Sequence, residues 1–95
     1  MIISISTLTY KDDAKAFELR KDVIHPVVKG YPGCLFCQFA KSTANDGEYV
    51  ILIGWESEEA CRAFNSSWAH DILKDNQWPL MERTIETKEY ELLLD

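Results

Sequence analysis

Two neighbouring segments in the middle of the chain carry apolar side chains on both faces of a predicted strand. Residues 34–42 have the sequence CLFCQFAKS and residues 48–55 have the sequence EYVILIGW, with the turn-forming tetrapeptide ANDG at 44–47. Successive side chains of a strand point to opposite faces, so this pattern predicts a β-hairpin with two apolar surfaces. An antiparallel sheet that exposes one face to water normally shows polar residues there, so this hairpin needs a covering layer on each side.

The remaining sequence predicts two helices and two further strands. Alternating β-branched residues predict a strand over residues 2–9, and the segment TIETKEYELLL predicts another over residues 84–94. Apolar residues at helical spacing predict a helix over about residues 13–29 and a second from about residue 58, which breaks at the NSS sequence of residues 65–67 into a short further helix. The order βαββαβ predicts an α+β, ferredoxin-like fold, with one antiparallel sheet and helices on one of its faces.

The first helix has a clear start and an interruption near its end. Asp12 or Asp13 is predicted to cap it, and Pro26 cannot donate a hydrogen bond to the preceding turn, so a kink or an early end is expected there. Its predicted apolar stripe consists of Ala16, Phe17, Val23, Ile24, Val27 and Val28.

The sequence GYPG at residues 30–33 is predicted to be the turn that leads into the second strand. Gly30 is expected to end the first helix in a left-handed conformation, and Pro32-Gly33 suits the central positions of a type II turn. Ser57 is predicted to cap the second helix, with acidic residues following it in the first turn.

The two apolar surfaces of the hairpin predict how the chain assembles. Two helices can cover only one side of the sheet, and the other side needs a different partner. Residues 1–95 are therefore predicted to form a single domain that pairs with a second copy, sheet against sheet, as a homodimer.

The charge distribution excludes several classes of partner. The net charge is −6, and residues 48–95 carry four Lys and Arg against eleven Asp and Glu, so the basic stripe that nucleic acids require is missing. The longest apolar run, YVILIGW, is seven residues, against about 20 for a membrane-spanning helix. The chain has three cysteines, an odd number that fits reduced thiols. We expect a cytoplasmic protein that binds neither nucleic acid nor membrane.

The spacing Cys34-x-x-Cys37 is one used by redox dithiols and zinc sites. On a regular strand two residues three apart point to opposite faces, so the pair is predicted to serve packing. The sequence also has no Gly-rich phosphate loop, no cluster of His, Asp and Glu at metal spacing and no Ser nucleophile motif. Neither a metal nor a cofactor is therefore predicted.

Three segments together resemble a known family. They are PGCL at residues 32–35, YVILIGWESEEACRAF at residues 49–64 and SSWAHDI at residues 66–72, and they resemble the antibiotic biosynthesis monooxygenase family of dimeric α/β barrels. The resemblance implies a dimer of ferredoxin-like subunits, each with a hydrophobic cleft between sheet and helices. It also implies that the chain is related to oxygenases that act on aromatic phenols or quinols without metal or flavin, and to other proteins that bind haem.

The resemblance directs attention to polar and aromatic residues that could line such a cleft. His70 is the candidate base, because an imidazole can take a phenolic proton near neutral pH, and Ser6 is the candidate hydrogen-bond donor. The candidate substrate-binding residues are Trp55, Phe64, Trp68 and Gln38. Packing is the alternative role for the aromatic residues, and Ser4, Ser6 and Gln38 could face either the cleft or the dimer interface.

Two functions follow from the resemblance. The first is a cofactor-independent monooxygenase acting on a small aromatic phenol or quinol. The second is a dimer of the same fold that binds a small molecule or haem without turnover. In the haem-degrading relatives a Trp, an Asn and a His mark the site, and this chain has Phe64, Ser6 and Lys74 at those positions, so the haem ligand of that pattern is missing.

Overall fold

The structure, a computed structural model, describes residues 1–77 and 86–95 of the chain. The predicted order of elements is confirmed, and residues 84–85 of the predicted fourth strand lie outside the described residues. The elements are β1 (Ile2–Thr9), α1 (Asp13–Leu19), a π-helical turn (Arg20–Ile24), α2 (His25–Lys29), β2 (Cys34–Lys41), β3 (Glu48–Trp55), α3 (Glu58–Asn65), α4 (Trp68–Gln77) and β4 (Glu86–Glu91).

The four strands form one antiparallel sheet in the order β2-β3-β1-β4. This order confirms the ferredoxin-like α+β fold, in which the two central strands are β1 and β3. Leu8 lies opposite Tyr49 and Ile2 lies opposite Trp55, so the buried side chains of both central strands point to the same, helix-covered face. Within one chain the sheet is open, and the barrel that the resemblance implies would need the sheet of a second copy.

The first helix continues through Pro26 instead of ending there. Asp12 caps it by accepting a hydrogen bond from the Lys15 N–H at 3.1 Å. In the turn before Pro26 the backbone hydrogen bonds span five residues instead of four: the His25 N–H donates to the carbonyl of Arg20. A wider turn accommodates a proline that cannot make the usual helical bond, so the helix reaches Lys29.

The π-helical turn changes which side chains of this helix are buried. Phe17 is 58% exposed and Val23 is 37% exposed, so the predicted apolar stripe is wrong at these two positions. The buried residues instead follow one another at every fourth position, and they are Ala16, Arg20, Ile24 and Val28. The row that faces the sheet therefore includes an arginine.

None of the helices among the described residues is long and apolar enough to cross a membrane.

The turn before β2 is built around Gly33. The prediction for Gly30 is wrong, because its φ of −83° is right-handed, whereas Gly33 has a φ of 89°. The Cys34 N–H donates to the Tyr31 carbonyl at 3.1 Å, as in a type II turn with glycine at its third position. A Cβ atom on Gly33 would lie 2.5 Å from the Cβ of Ala60, so this turn packs directly on α3.

Replacing Gly33 with alanine should destabilise the protein for both of these reasons. The positive φ and the contact with Ala60 predict that Gly33→Ala lowers the free energy of unfolding by roughly 1–3 kcal/mol. Urea denaturation of the purified variant measures this loss. Gly30→Ala is the control, because Gly30 has a right-handed φ, and it should lose less free energy of unfolding. Equal losses in the two variants would contradict the assignment of Gly33 as the left-handed position that packs on Ala60.

A β-bulge near the start of β2 corrects the prediction for the two cysteines. Cys34 lies opposite Trp55 and Phe36 lies opposite Gly54, so one extra residue, Leu35, interrupts the alternation. Cys34 and the buried Cys37 consequently both pack on the helix-covered side, and not on opposite faces as predicted. All three cysteines of the chain are free thiols.

The other face of the sheet carries a contiguous set of apolar side chains. Phe36 covers Gly54 so closely that a Cβ there would lie 2.2 Å from the ring, which explains the glycine in an apolar strand. Tyr90 is 50% exposed, and its neighbours in the sheet are partly exposed. We call this set the open apolar face, and its members are Ile3, Ile5, Phe36, Val50, Leu52 and Tyr90.

Candidate functional site

Four aromatic rings meet on the helix-covered side of the sheet, and we call them the aromatic cluster. The Phe64 ring is central, with its centroid 5.0 Å from Trp55, 5.1 Å from Tyr31 and 5.6 Å from His70. Trp55 and Phe64 are 1% and 3% exposed, whereas His70 is half-buried. The structure therefore brings three predicted site residues together, with His70 at the edge nearest to solvent.

The positions of Phe64 and His70 depend on two serine caps. The Ser57 hydroxyl accepts a hydrogen bond from the Ala60 N–H at 3.1 Å and begins α3. The Ser67 hydroxyl donates to the Phe64 carbonyl at 2.6 Å and accepts from the His70 N–H at 3.2 Å. This second serine links the end of α3 to the start of α4, and the imidazole is T-shaped to the Phe64 ring, with an interplanar angle of 88°.

Trp68 does not belong to the aromatic cluster. The prediction extended the helical spacing of Phe64 across the break that follows Asn65, and the new helix begins with a different rotation. Trp68 is 74% exposed and Ala69 is buried in its place. The prediction that Trp68 forms a wall of the site is therefore wrong for the single chain.

Polar side chains of β1 and β4 form a strip beside the aromatic cluster. Ser6 lies opposite Ile51, which is buried under the helices, so the serines of β1 are on the helix-covered face and not on the open face. The hydroxyls of Ser6 and Thr87 are 2.8 Å apart, and Ser4 lies opposite Glu89. We call Ser4, Ser6, Thr87 and Glu89 the polar strip.

Gln38 lies on the opposite side of the sheet. It is exposed and pairs with Leu52, a member of the open apolar face. After the bulge at Leu35 the alternation of β2 places Phe36 and Gln38 together on that side. The prediction of Gln38 as a cleft residue is therefore corrected.

Glu89 connects the polar strip to α3. Its Oε1 atom accepts a hydrogen bond from the Asn65 amide at 3.3 Å, and the Cys61 thiol donates to it at 3.5 Å. Burial and the adjacent Glu89 carboxylate together raise the pKa of Cys61 to about 11. Cys61 is therefore a neutral donor at physiological pH, and it is poorly suited to nucleophilic chemistry.

The buried thiols predict a loss of stability in alkali. Burial raises the pKa of Cys37 from 9.0 to about 11, so the unfolded chain ionises first and the stabilisation disappears as the pH rises from about 9 to 11. The urea midpoint should therefore fall over this range. In Cys37→Ala, which lacks this thiol, the fall should be smaller; an unchanged pH dependence in this variant would contradict the prediction.

Arg20 is a charged side chain buried on the helix-covered face, and it is not among the site residues predicted from the sequence. It is 4% exposed, its guanidinium carbon lies 5.0 Å from the centroid of the Phe39 ring, and burial lowers its pKa. Its Nε and Nη2 atoms are buried and have no hydrogen-bond partner among the residues that the structure describes. The sequence contains an indication of this burial, because Arg20 lies four residues after Ala16 and four before Ile24, on the same face of a helix.

The described residues 1–77 and 86–95 contain no group of three or more His, Cys, Asp and Glu side chains that could hold a metal ion. What the site offers is an aromatic wall, an imidazole at its edge, paired hydroxyls and a buried cation. Such a combination can hold a flat aromatic molecule, accept a proton from it and stabilise a negative charge on it.

Comparison with known proteins agrees with this fold. The chain belongs to the antibiotic biosynthesis monooxygenase family, whose model matches residues 1–74. No curated protein matches the chain.

Several solved structures have the same fold. A mutant of SnoaB, a cofactor-independent oxygenase from Streptomyces nogalater, is 15% identical with a TM-score of 0.84 over 99% of this chain and 94% of that one. A candidate antibiotic biosynthesis monooxygenase from Nitrosomonas europaea is 17% identical, with a TM-score of 0.83 over 99% and 100%. A similar candidate from Caulobacter crescentus is 24% identical, with a TM-score of 0.81 over 98% and 90%. At these identities the likeness shows the fold.

Proposed function

We propose that the protein is a cofactor-independent monooxygenase that oxidises a small aromatic phenol or quinol. The observation that carries the proposal is the half-buried imidazole of His70, held against Phe64 in a cluster of buried aromatic rings. Membership of the antibiotic biosynthesis monooxygenase family and the shared fold of SnoaB support it. The free thiols fit a cytoplasmic location, which is part of the proposal.

The proposed reaction needs only the substrate and O₂. A phenol with an unsubstituted ring position loses its proton, and the electron-rich anion passes one electron to O₂. The two radicals combine at the ring carbon to form a peroxide. Cleavage of its O–O bond and loss of the ring hydrogen release one water and leave a carbonyl oxygen, so one phenol and one O₂ give one quinone and one water.

Each residue of the site has a limited task in this scheme. His70 accepts the phenolic proton, for which an imidazole is suited near neutral pH. Ser6, whose hydroxyl is paired with that of Thr87, has the role of bonding a ring oxygen in this proposal, and the buried Trp55 and Phe64 have the role of the apolar wall. The protein thereby contributes binding, orientation and electrostatics, and the substrate supplies the electrons.

Replacing His70 with alanine tests the proposed base. General-base catalysis typically contributes a factor of 10²–10⁴, so His70→Ala should reduce the rate of oxygen uptake with the active phenol by roughly 100-fold or more. The measurement uses an oxygen electrode and a panel of hydroquinones and anthrones.

His25→Ala is the matched control, because His25 lies in α2, is also half-buried and makes no ring contact with the aromatic cluster. It should retain the wild-type rate. Equal losses in the two variants would contradict the assignment of the base. Absence of uptake by the wild type across the whole panel would contradict the enzyme, and binding of the same compounds without uptake would indicate the alternative, a non-catalytic binding dimer.

We also propose that the open apolar face is the interface of a homodimer. Leu52 is central on this face, between Ile5 and the edge strand, and a charged side chain there would have to be buried in the interface. Leu52→Lys should convert the wild-type dimer to a monomer, as measured by light scattering after size exclusion.

Ala63→Lys is the control for the added charge, because Ala63 is exposed on α3 on the other side of the sheet. It should remain dimeric. A wild-type mass of 11.0 kDa, that of one chain, would contradict the proposed interface.

A further inference from the structure

Arg20 is a buried cation that has no counter-ion among residues 1–77 and 86–95. Within the part of the chain that the structure describes, Tyr10 and Cys37 are the titratable groups whose charge acts on the pKa of Arg20, and burial raises the pKa of both, so they are uncharged at neutral pH. No carboxylate pairs with its guanidinium among the residues that the structure describes. Burying a charge without a partner is costly, and an apolar side chain would fill the same position in the helix without that cost.

The surrounding structure holds this guanidinium in place. Its carbon lies over the Phe39 ring, which stacks on Tyr49 with centroids 4.9 Å apart and an interplanar angle of 5°. The backbone of Arg20 begins the π-helical turn, and such turns are frequent at functional sites. The guanidinium is thus held in one position, with two buried nitrogens that lack an acceptor among the described residues.

The cross-strand register relates Arg20 to the polar strip. Phe39 lies opposite Ile51, Ile51 lies opposite Ser6, and Ser6 lies opposite Thr87, all on the helix-covered face. Two strand spacings, about 10 Å in total, therefore separate Phe39 from Ser6. To reach the guanidinium over Phe39, an aromatic ligand bonded to Ser6 would have to span about this distance on the same face of the sheet.

We propose that Arg20 is the counter-ion for an ionised oxygen of the aromatic ligand, so that the site binds a phenolate in preference to a neutral aromatic molecule of the same shape. This inference rests on the proposed function and adds the charge state of the substrate. His70 removes the proton, and Arg20 stabilises the negative charge that remains on the conjugated ring system. A charge-assisted bond in a buried site is strong enough for this task.

A pair of matched probes tests the proposal without turnover. 4-Nitrophenol ionises to a coloured phenolate, and 4-nitroanisole has nearly the same shape but cannot ionise. Under anaerobic conditions, at a pH where the free nitrophenol is largely ionised, the wild type should bind it about 10-fold to 100-fold more tightly than nitroanisole. Equal affinities in the wild type would overturn the proposal, whatever the behaviour of any variant.

Two substitutions then assign the preference to Arg20. Arg20→Met should abolish the preference while leaving the affinity for nitroanisole within about 3-fold of wild type, and Arg20→Lys, which keeps the charge, should retain part of it. Because Met removes an unpaired buried charge, its Tm should rise, by roughly 4–8 °C. A preference that persists in Arg20→Met would overturn the proposal; if that variant does not fold, the wild-type comparison and Arg20→Lys still decide.

These outcomes can be distinguished from a failure of the proposed oxygenase activity. Phenolate preference that depends on Arg20, together with no oxygen uptake on any phenol, supports the anion site and contradicts the oxygenase. Oxygen uptake by the wild type with no phenolate preference supports the oxygenase and overturns the role of Arg20.

Discussion

The pairing of β1 with β3 is the constraint on which the rest of the structure depends. It aligns Ile2 with Trp55 and Leu8 with Tyr49, so the buried side chains of the two central strands share one face. Between these apolar pairs it places the serines of β1 on the same face. A shift of one residue would turn the apolar side chains towards the open face and remove the serines from the cleft. The register therefore determines both the core and the polar strip.

The sequence predicted the fold well because the relevant signals are local. Ser57 and Asp12 mark helix starts by side-chain chemistry, the ANDG segment marks a hairpin, and the NSS sequence marks the break between α3 and α4. The order of elements and the sheet topology follow from such signals together with the rules for connecting strands. Family membership, which rests on a model matching residues 1–74, agrees with this result.

The site was predicted less completely because three irregularities shift the periodicities on which its prediction relied. The bulge at Leu35 moves Cys34 to the side of Cys37 and leaves Gln38 on the open face. The break after Asn65 leaves Trp68 exposed, and in the first helix Phe17 and Val23 are exposed while Arg20, at the start of the π-helical turn, lies in the buried row. Each irregularity depends on hydrogen bonding and tertiary packing, which an ideal helical or strand period cannot express. Trp55, Phe64 and His70 lie close to a capped helix end or a strand end, and their rings are in contact; their role in a site stays a prediction.

The proposed chemistry divides the work between His70, a half-buried proton acceptor, and Arg20, a buried cation. Its central claim is that the protein inserts one atom of O₂ into an aromatic ring. Mass spectrometry of the product formed under isotopically labelled dioxygen tests this most directly. The account predicts a quinone that carries one labelled oxygen atom, with the second atom recovered in water; a quinone without label, or no quinone from any phenol that binds, would contradict it.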